Sequence, residues 1–472
     1  MTELVSRDPT TGAVVWRGAA ATPQECDRVM TAARAAFPGW AAREPGEREA
    51  ILRAYASAVR ARAGELATAI SAEVGKPPWE AAAEAELVAA KVDISVEALA
   101  SRRSEFAAGP AVTRFRPLGV CVVLGPYNYP AHLPNGHVVP ALLAGNCVVL
   151  KPSEQAPSVA ELMAELWAAA GLPRGVLAVV QGGRAVAESL LDHPELDGVF
   201  LTGSAATGAA VHRRFAGEPQ RILALEMGGN NPLVVHEVSD PTAAAYLTAR
   251  SAYLTAGQRC TSARRLIVPA GAGGDRFLDE LTAMIGRITV GPPTDRPEPF
   301  MGPVISAEAA RAVLDAQAGL LAAGGRALVE ARSLAPGTGL LSPGLVDVTA
   351  VAERRDEEIF GPLLQLVRVD GLEAAVAEAA RTAFGLAAGI LTDDEAAYRR
   401  FAAGVRAGVV NWNHELVGAS SRAPFGGVGL SGNHRPSALF AADYCSYPVA
   451  SIERPRPALP DQPFPGLVPG RP

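Results

Sequence analysis

The feature that most constrains the fold is a change of pattern near Gly119. From there, short apolar runs alternate with helical stretches. The runs are GVCVVLG (Gly119 to Gly125), NCVVLKP (Asn146 to Pro152), GVLAVVQGG (Gly175 to Gly183) and DGVFLTGS (Asp197 to Ser204), and RILALEMGG (Arg221 to Gly229) closes the set. Short buried runs of this kind suit strands covered on both faces, which points to a parallel sheet flanked by helices. Stretches such as Ser158–Ala170 and Ala185–Leu191 supply the crossovers. A second alternating set starts at NPLVVHE (Asn231). It runs through an Ala-rich helix up to Ala256, RRLIVP, helices at Asp275–Ile288 and Ala307–Gly324, LLQLVRVD and GVVNWN. The chain therefore reads as two α/β units. Its 472 residues, 49% of them hydrophobic, are ample for more than one core.

The flanks differ. The first hundred residues read as helices. TPQE (Thr22 to Glu25) is a capping box with Pro23 at the first helical position, opening a helix toward Phe37. A longer helical region is expected over Pro45 to Val74, ended by Gly75-Lys76-Pro77, and a third over Trp79 to about Leu99. SRRSEFAAGPAVTRFRPLG then suggests a two-stranded ribbon. The final 18 residues hold seven prolines and read as a loose tail.

Composition narrows the function classes. Net charge is −6 and neither sign forms a long block, so nothing points to nucleic acid or to an anionic membrane surface. Five scattered cysteines without a CxxC spacing indicate neither a disulfide framework nor a zinc site, and the histidines lack metal spacing. No metal is expected. A reducing, cytoplasmic setting fits. MTELVSRDPTTG has no apolar core of a signal peptide, and no run of about 18 apolar residues would make a membrane helix.

Several short segments carry chemistry. LTGSAATG (Leu201 to Gly208) joins a strand to a helix, so its amides can hold a phosphate. Strand-to-helix turns also need glycine for backbone reasons alone. KPSE (Lys151 to Glu154) ends another strand, where open α/β sheets bind ligands. A carboxylate there suits ribose hydroxyls and repels a 2′-phosphate; a solvated loop charge is the alternative. Glu226 in ALEMGGNNP stands in an apolar, glycine-rich frame that would raise its pKa toward the range of a general base. It reads equally as a buried structural carboxylate. Cys260 in GQRCTSARR lies 34 residues further on. A free cysteine is usually an inert small hydrophobe, and Cys121 and Cys147 within apolar runs keep that reading. Cys260 is instead flanked by Gly257, Gln258 and Arg259, small or cationic neighbours that favour a thiolate. GPYNYP offers the Asn128 amide, and EEIFGP offers acids followed by Phe360.

Taken together, these segments resemble the aldehyde dehydrogenase superfamily in motif order and spacing over nearly the whole chain. GPYNYP, KPSE, LTGSAATG, ALEMGG, GQRC, EEIFGP and APFGGVGLSG each match a family motif. The resemblance implies an α/β fold with a Rossmann-type coenzyme domain (1–98 and 118–228), an α/β catalytic domain (229–428) and a small β oligomerisation element (99–117 and 429–455), followed by the Pro-rich tail (456–472). It implies NAD as cofactor and a homodimer or homotetramer. Cys260 would be the nucleophile and Glu226 the general base. Asn128 and the Cys260 backbone N–H would form the oxyanion hole. Lys151 and Glu154 would meet the adenosine ribose, and the turn Gly203, Ser204, Ala205, Ala206, Thr207 and Gly208 the pyrophosphate. Glu358 would hold the nicotinamide ribose, with Phe360 beside the ring. Relatives that acylate coenzyme A usually lack the acid at Glu226, so hydrolysis to a free carboxylate is favoured.

The stretches NYPAHLPNGHVVPALLAGN, TAGQRCTSARR and SGNHRPSALFAADYC are most similar to a branch that oxidises a dicarboxylate semialdehyde in arginine degradation. Such a substrate calls for arginines or amide donors. Arg435 is the first candidate, then Arg259, Arg264 and His132, with Arg103, Arg422 and His434 behind them. Alternatives are another acidic semialdehyde, such as succinate or glutamate semialdehyde, a cofactor-independent thiol hydrolase, or a scaffold without activity. Three departures from the family stand out. Tyr127 and Tyr129 replace its Trp and Phe, Arg422 is unfamiliar beside the PFGG motif, and the usual N-terminal strand is missing before Val5. The last predicts a weakened edge or a true start further upstream.

Overall fold

The computed structural model describes residues 2–459, 462 and 464–467. The expected tail falls partly outside these, and its described residues carry neither helix nor strand.

Five parallel strands form the first sheet, in spatial order Leu177–Val179, Cys147–Lys151, Val120–Leu124, Gly198–Gly203 and Ile222–Met227. Val120–Leu124 and Cys147–Lys151 are buried at every residue, which is why their sequences run apolar without alternation. The chain leaves Val120–Leu124 toward one edge and later adds Gly198–Gly203 on its other side. That reversal creates a crevice at the carboxyl ends of these two strands, the place where open α/β sheets take ligands.

The second sheet has seven strands in the order Arg326–Val329, Gly344–Asp347, Leu363–Val369, Ala263–Pro269, Asn231–Val235, Ala387–Leu391 and Val409–Trp412. All are parallel except the first edge strand. Its two faces bury separate clusters. Leu233 and Val235 face one and Val234 the other, and Leu266 and Val268 are divided from Ile267 in the same way. This is the strand period of two made visible.

The N-terminal helices pack on the first sheet. The Thr22 capping box is present, with Pro23 in the first turn, but the helix runs on to Ala41 through Pro38. The single helix expected over Pro45 to Val74 is two, Pro45–Ala61 and Ala63–Val74, broken at Arg62. Gly75 caps the second at φ 77°, and a Cβ there would lie 2.3 Å from Pro303, so both backbone and space demand glycine. The chain does not open on a helix. Glu3–Arg7 and Val14–Ala19 form an antiparallel hairpin. Its strands are only partly buried and carry charged residues, so their apolar pattern is faint.

The ribbon is present as Phe106–Ala108 and Ala111–Pro117, and a third antiparallel strand, Ser446–Ile452, joins it. Residues 99–102 belong to the long helix Pro78–Arg102 instead. Among the described residues no helix is long and apolar enough to cross a membrane.

Candidate active site

The crevice of the first sheet widens into a cleft of about 930 Å³ that reaches the second unit. Its lining includes Asn128, Lys151, Glu154, Gly203 to Thr207, Glu226, Cys260, Glu358 and Phe360. These residues, from six separate segments of the sequence, thus meet in one place.

At one end the helix Ala205–Arg214 presents its first amides to the cleft. Ser204 caps that helix, its hydroxyl accepting from the Thr207 amide at 3.2 Å. The hydroxyl is therefore engaged locally, and the Ala205 and Ala206 positions carry the exposed helix start. Gly208 does not line the cleft. A Cβ there would lie 1.9 Å from Met227 Sδ, so its glycine lets the helix pack on the sheet. Lys151 donates to the Gly182 carbonyl at 2.6 Å and stands 3.5 Å from Glu154. Burial lowers its pKa, with Glu154 opposing. The other two cations in the lining are also masked, Arg184 by Glu188 at 2.8 Å and Arg214 by Asp192. Apolar walls, amides at a helix start and a carboxylate at each end suit a dinucleotide with ribose hydroxyls.

Glu358 enters from the other side. A Cβ on Gly228 would meet its Oε2 at 1.7 Å, which is the physical reason for that glycine. Burial raises the Glu358 pKa, while Arg264 and the Gly229 amide lower it. Phe360 meets Tyr127 edge to face at 6.1 Å, so the tyrosine that replaces the family's Trp fills the same wall.

Cys260 is the one partly exposed cysteine; the other four are buried. It follows a run with three positive φ values, Thr255 (59°), Ala256 (52°) and Gly257 (68°). Two of these are not glycine, so the loop is held in place by its surroundings. Asn231 Nδ2 donates to the Cys260 carbonyl at 2.7 Å and to the Ser262 carbonyl at 2.9 Å. Asn128 Nδ2 donates to the Gln258 carbonyl at 2.8 Å, and Gln258 Oε1 accepts from Ile305. An amide has two N–H bonds, so Asn128 keeps one for the cleft. Arg264, fully buried, donates to the carbonyls of Gly257 (2.6 Å) and Arg259 (3.0 Å) and pairs with Glu358 at 3.3 Å.

Around the thiol, burial and acids outweigh the cations. Burial pushes the Cys260 thiol well above its ordinary range; Glu226 and Glu358 act in the same direction and Arg264 only offsets them. Arg259 turns away to Glu80 (3.0 Å), Thr255 and the Val417 carbonyl. The expectation of a cation-assisted thiolate is thus corrected: a carboxylate stands beside the sulfur. Glu226 is buried, and neither of its oxygens has an ordinary hydrogen-bond partner. Its pKa is raised to about 8, by burial first and then by Glu358, with the Cys260 thiol opposing. Such a carboxyl, once ionised above that value, can accept a proton from a thiol or a water.

The segment after 429 also serves this site. Asn433 Oδ1 accepts from the Leu225 amide at 2.8 Å and its Nδ2 donates to the Leu223 carbonyl at 3.0 Å, while the Ser431 hydroxyl donates to the Gly228 carbonyl at 2.7 Å. Ser431 and Asn433 therefore clasp the strand that carries Glu226.

The substrate arginines are placed elsewhere than expected. Arg435 donates to the Gly427 carbonyl at 2.7 Å and holds its own loop at φ 53°. Arg264 is sealed from the cleft, Arg103 ties the Ala442 and Asp443 carbonyls, and Arg422 pairs with Glu97 on the surface. His434 is exposed and lies outside the cleft lining. Of these candidates, His132 has a buried ring nitrogen, Nδ1, without a partner among the described residues. Asn231, Ser431 and Asn433 have no prior signal beyond their place in the motifs GGNNP and SGN.

A cleft that joins a dinucleotide-shaped crevice to a cysteine and a desolvated glutamate defines the class, and the chain belongs to the aldehyde dehydrogenase family, whose model matches residues 2–447. Among curated proteins it is 53% identical over 469 residues to N-succinylglutamate 5-semialdehyde dehydrogenase of Ectopseudomonas mendocina (strain ymp), covering 98% of this chain and 96% of that one. Among solved structures it is similar to a mutant aldehyde dehydrogenase C of Pseudomonas syringae in complex with NAD+ and octanal (TM-score 0.90, 30% identity, 96% of this chain and 93% of that one). An NADP-dependent enzyme of E. coli is equally similar in fold (TM-score 0.90, 29% identity, 95% of this chain and 94% of that one).

Proposed function

We propose that the protein oxidises N-succinyl-L-glutamate 5-semialdehyde to N-succinyl-L-glutamate with NAD, in the cytoplasm, as a step of arginine degradation through the succinyltransferase route. The observation that carries this reading is the match at 53% identity over 98% of the chain to an enzyme of that name. Support for NAD over NADP is the masking of all three cleft cations by acids, which leaves no free charge for a 2′-phosphate.

In this reading Glu226 takes the thiol proton and the Cys260 sulfur adds to the aldehyde carbon. The thiohemiacetal oxygen receives hydrogen bonds from the second N–H of Asn128 and the Cys260 backbone N–H; one such donor is worth roughly 10²–10³ in rate. A nicotinamide dinucleotide held in the cleft would supply the hydride acceptor; the Cys260-bound carbon, having given up hydride, is then a thioester. Glu226 passes the proton it took from the thiol to solvent and then deprotonates a water, which attacks the thioester; the departing sulfur takes that proton back as a thiol, and the product acid leaves as a carboxylate, its own proton going to solvent. Lys151 and Glu154 orient the adenosine ribose, the Gly203–Gly208 turn the pyrophosphate, and Glu358 and Phe360 the nicotinamide end. A homodimer or tetramer built on the Ser446–Ile452 strand accords with Tyr447 and Ile452, exposed there at 47% and 71%.

The test is a panel of N-succinylglutamate, succinate and glutamate semialdehydes with both cofactors. The highest kcat/KM is expected for the first with NAD. A preference for either other semialdehyde would replace the substrate, and ester cleavage without aldehyde oxidation would replace the reaction class.

A further inference from the structure

A second set of polar groups lies outside the lining of the coenzyme cleft, around the His132 ring. Lys91, on the helix Pro78–Arg102, is 2% exposed. Its single hydrogen bond among the described residues is to the Ser421 hydroxyl, at 3.3 Å. Burial holds its ammonium down at about 8, and no carboxylate acts against that. The neighbouring cations are different. Lys76 pairs with Glu84 at 2.6 Å and Arg259 with Glu80 at 3.0 Å. Three cations, Lys91, Lys76 and Arg259, face His132, so the group is left with one surplus positive charge, and that charge is on Lys91. A buried charge without a partner is costly, and proteins keep one where a ligand completes the pair.

The placement is built. Lys91 Cε lies 4.0 Å from where a Cβ of Gly136 would be, so the lysine stem runs across Gly136. Gly136 is one turn on from His132, whose unpartnered Nδ1 shares that helix face. Glu84 accepts from the amides of Ala131 and His132 and so fixes the start of this helix. Leu133, the next residue, lines the cleft together with Asn128 and Cys260.

We propose that Lys91 and Ser421, beside the His132 ring, form an anchor for a substrate carboxylate distant from the reacting aldehyde. The inference rests on the reading that the aldehyde reacts at Cys260. It names the substrate class as carboxylated semialdehydes and gives the recognition to a lysine that none of the arginines replaces.

The experiment compares kcat/KM for N-succinylglutamate semialdehyde and for an uncharged aldehyde of similar length. In Lys91→Met the ratio of the two is expected to fall about 10–100-fold, the worth of one charge-assisted hydrogen bond of ~1.5–3 kcal/mol. Ser421→Ala, which removes only the neutral partner, should lower it about 2–10-fold and keeps the test open if the lysine variant does not fold. Arg422→Met, on the same loop but paired with Glu97 outside, should move the ratio less than about twofold. A ratio unchanged in Lys91→Met and Ser421→Ala, or lowered as much by Arg422→Met, overturns the anchor. If the wild type prefers succinate or glutamate semialdehyde, the proposed substrate fails alone, and the same ratio measured with the preferred acid still decides the anchor. Turnover of uncharged aldehydes only would overturn both.

Discussion

Cys260 and Glu226 show what a sequence can and cannot say about a single side chain. The structure brings these residues of GQRC and ALEMGG together, since both line one cleft. Their electrostatics did not follow from neighbours in sequence, because Arg259 turns to Glu80 and the thiol faces carboxylates instead. Cys260→Ala should abolish aldehyde-dependent NADH formation while leaving the melting temperature close to wild type. For Glu226, a raised pKa means a neutral carboxyl below about 8 and a working base above it. Turnover should therefore climb with pH through that value and level off beyond it. Glu226→Gln should flatten the profile and lower turnover about 10²–10⁴-fold, with the acyl-enzyme visible by mass spectrometry. A pH profile unchanged in the variant would assign the base to another group.

Elements decide how those side chains are held, and much of that lay beyond local pattern. The apolar strands were legible because burial on both faces writes itself into composition, as in Val120–Leu124. The Glu3–Arg7 hairpin and the break at Arg62 were not, because each is set by what lies against it more than by residue type. The helix His132–Ala144 was hidden in the same way, being buried almost all round and carrying Pro140. Gly257 tests the loop that precedes the thiol. A Cβ there would lie 2.2 Å from the Gly361 carbonyl oxygen at φ 68°. Gly257→Ala should displace Cys260 and lower kcat/KM about 10²-fold, the scale of a 1 Å misplacement. Asn433→Ala removes two hydrogen bonds to the Glu226 strand and should cost roughly 1–3 kcal/mol, read as a lower denaturant midpoint together with reduced turnover.

At the scale of the molecule, the two α/β units were readable from the alternation alone, and the strand order was not. Order depends on which side of Val120–Leu124 each later strand joins, and that choice is made by helices packing from distant segments. The small antiparallel sheet needed a strand from the far end of the chain, Ser446–Ile452, more than 300 residues beyond Ala111–Pro117. Its exposed apolar side chains carry the assembly prediction. Light scattering should find a dimer or tetramer, and Ile452→Glu should shift it toward smaller species without loss of secondary structure.

The strained run ahead of Cys260 has a consequence in time. The chain there is clamped by Asn231 on the Cys260 carbonyl and Asn128 on the Gln258 carbonyl, 29 and 130 residues away in sequence, so the loop acquires its shape only once distant segments have met. Until then the nascent chain carries an ordinary thiol, open to any alkylating or oxidising agent. The rate at which iodoacetamide labels Cys260 during refolding is thus a clock for the last stage of assembly, one that runs without any substrate.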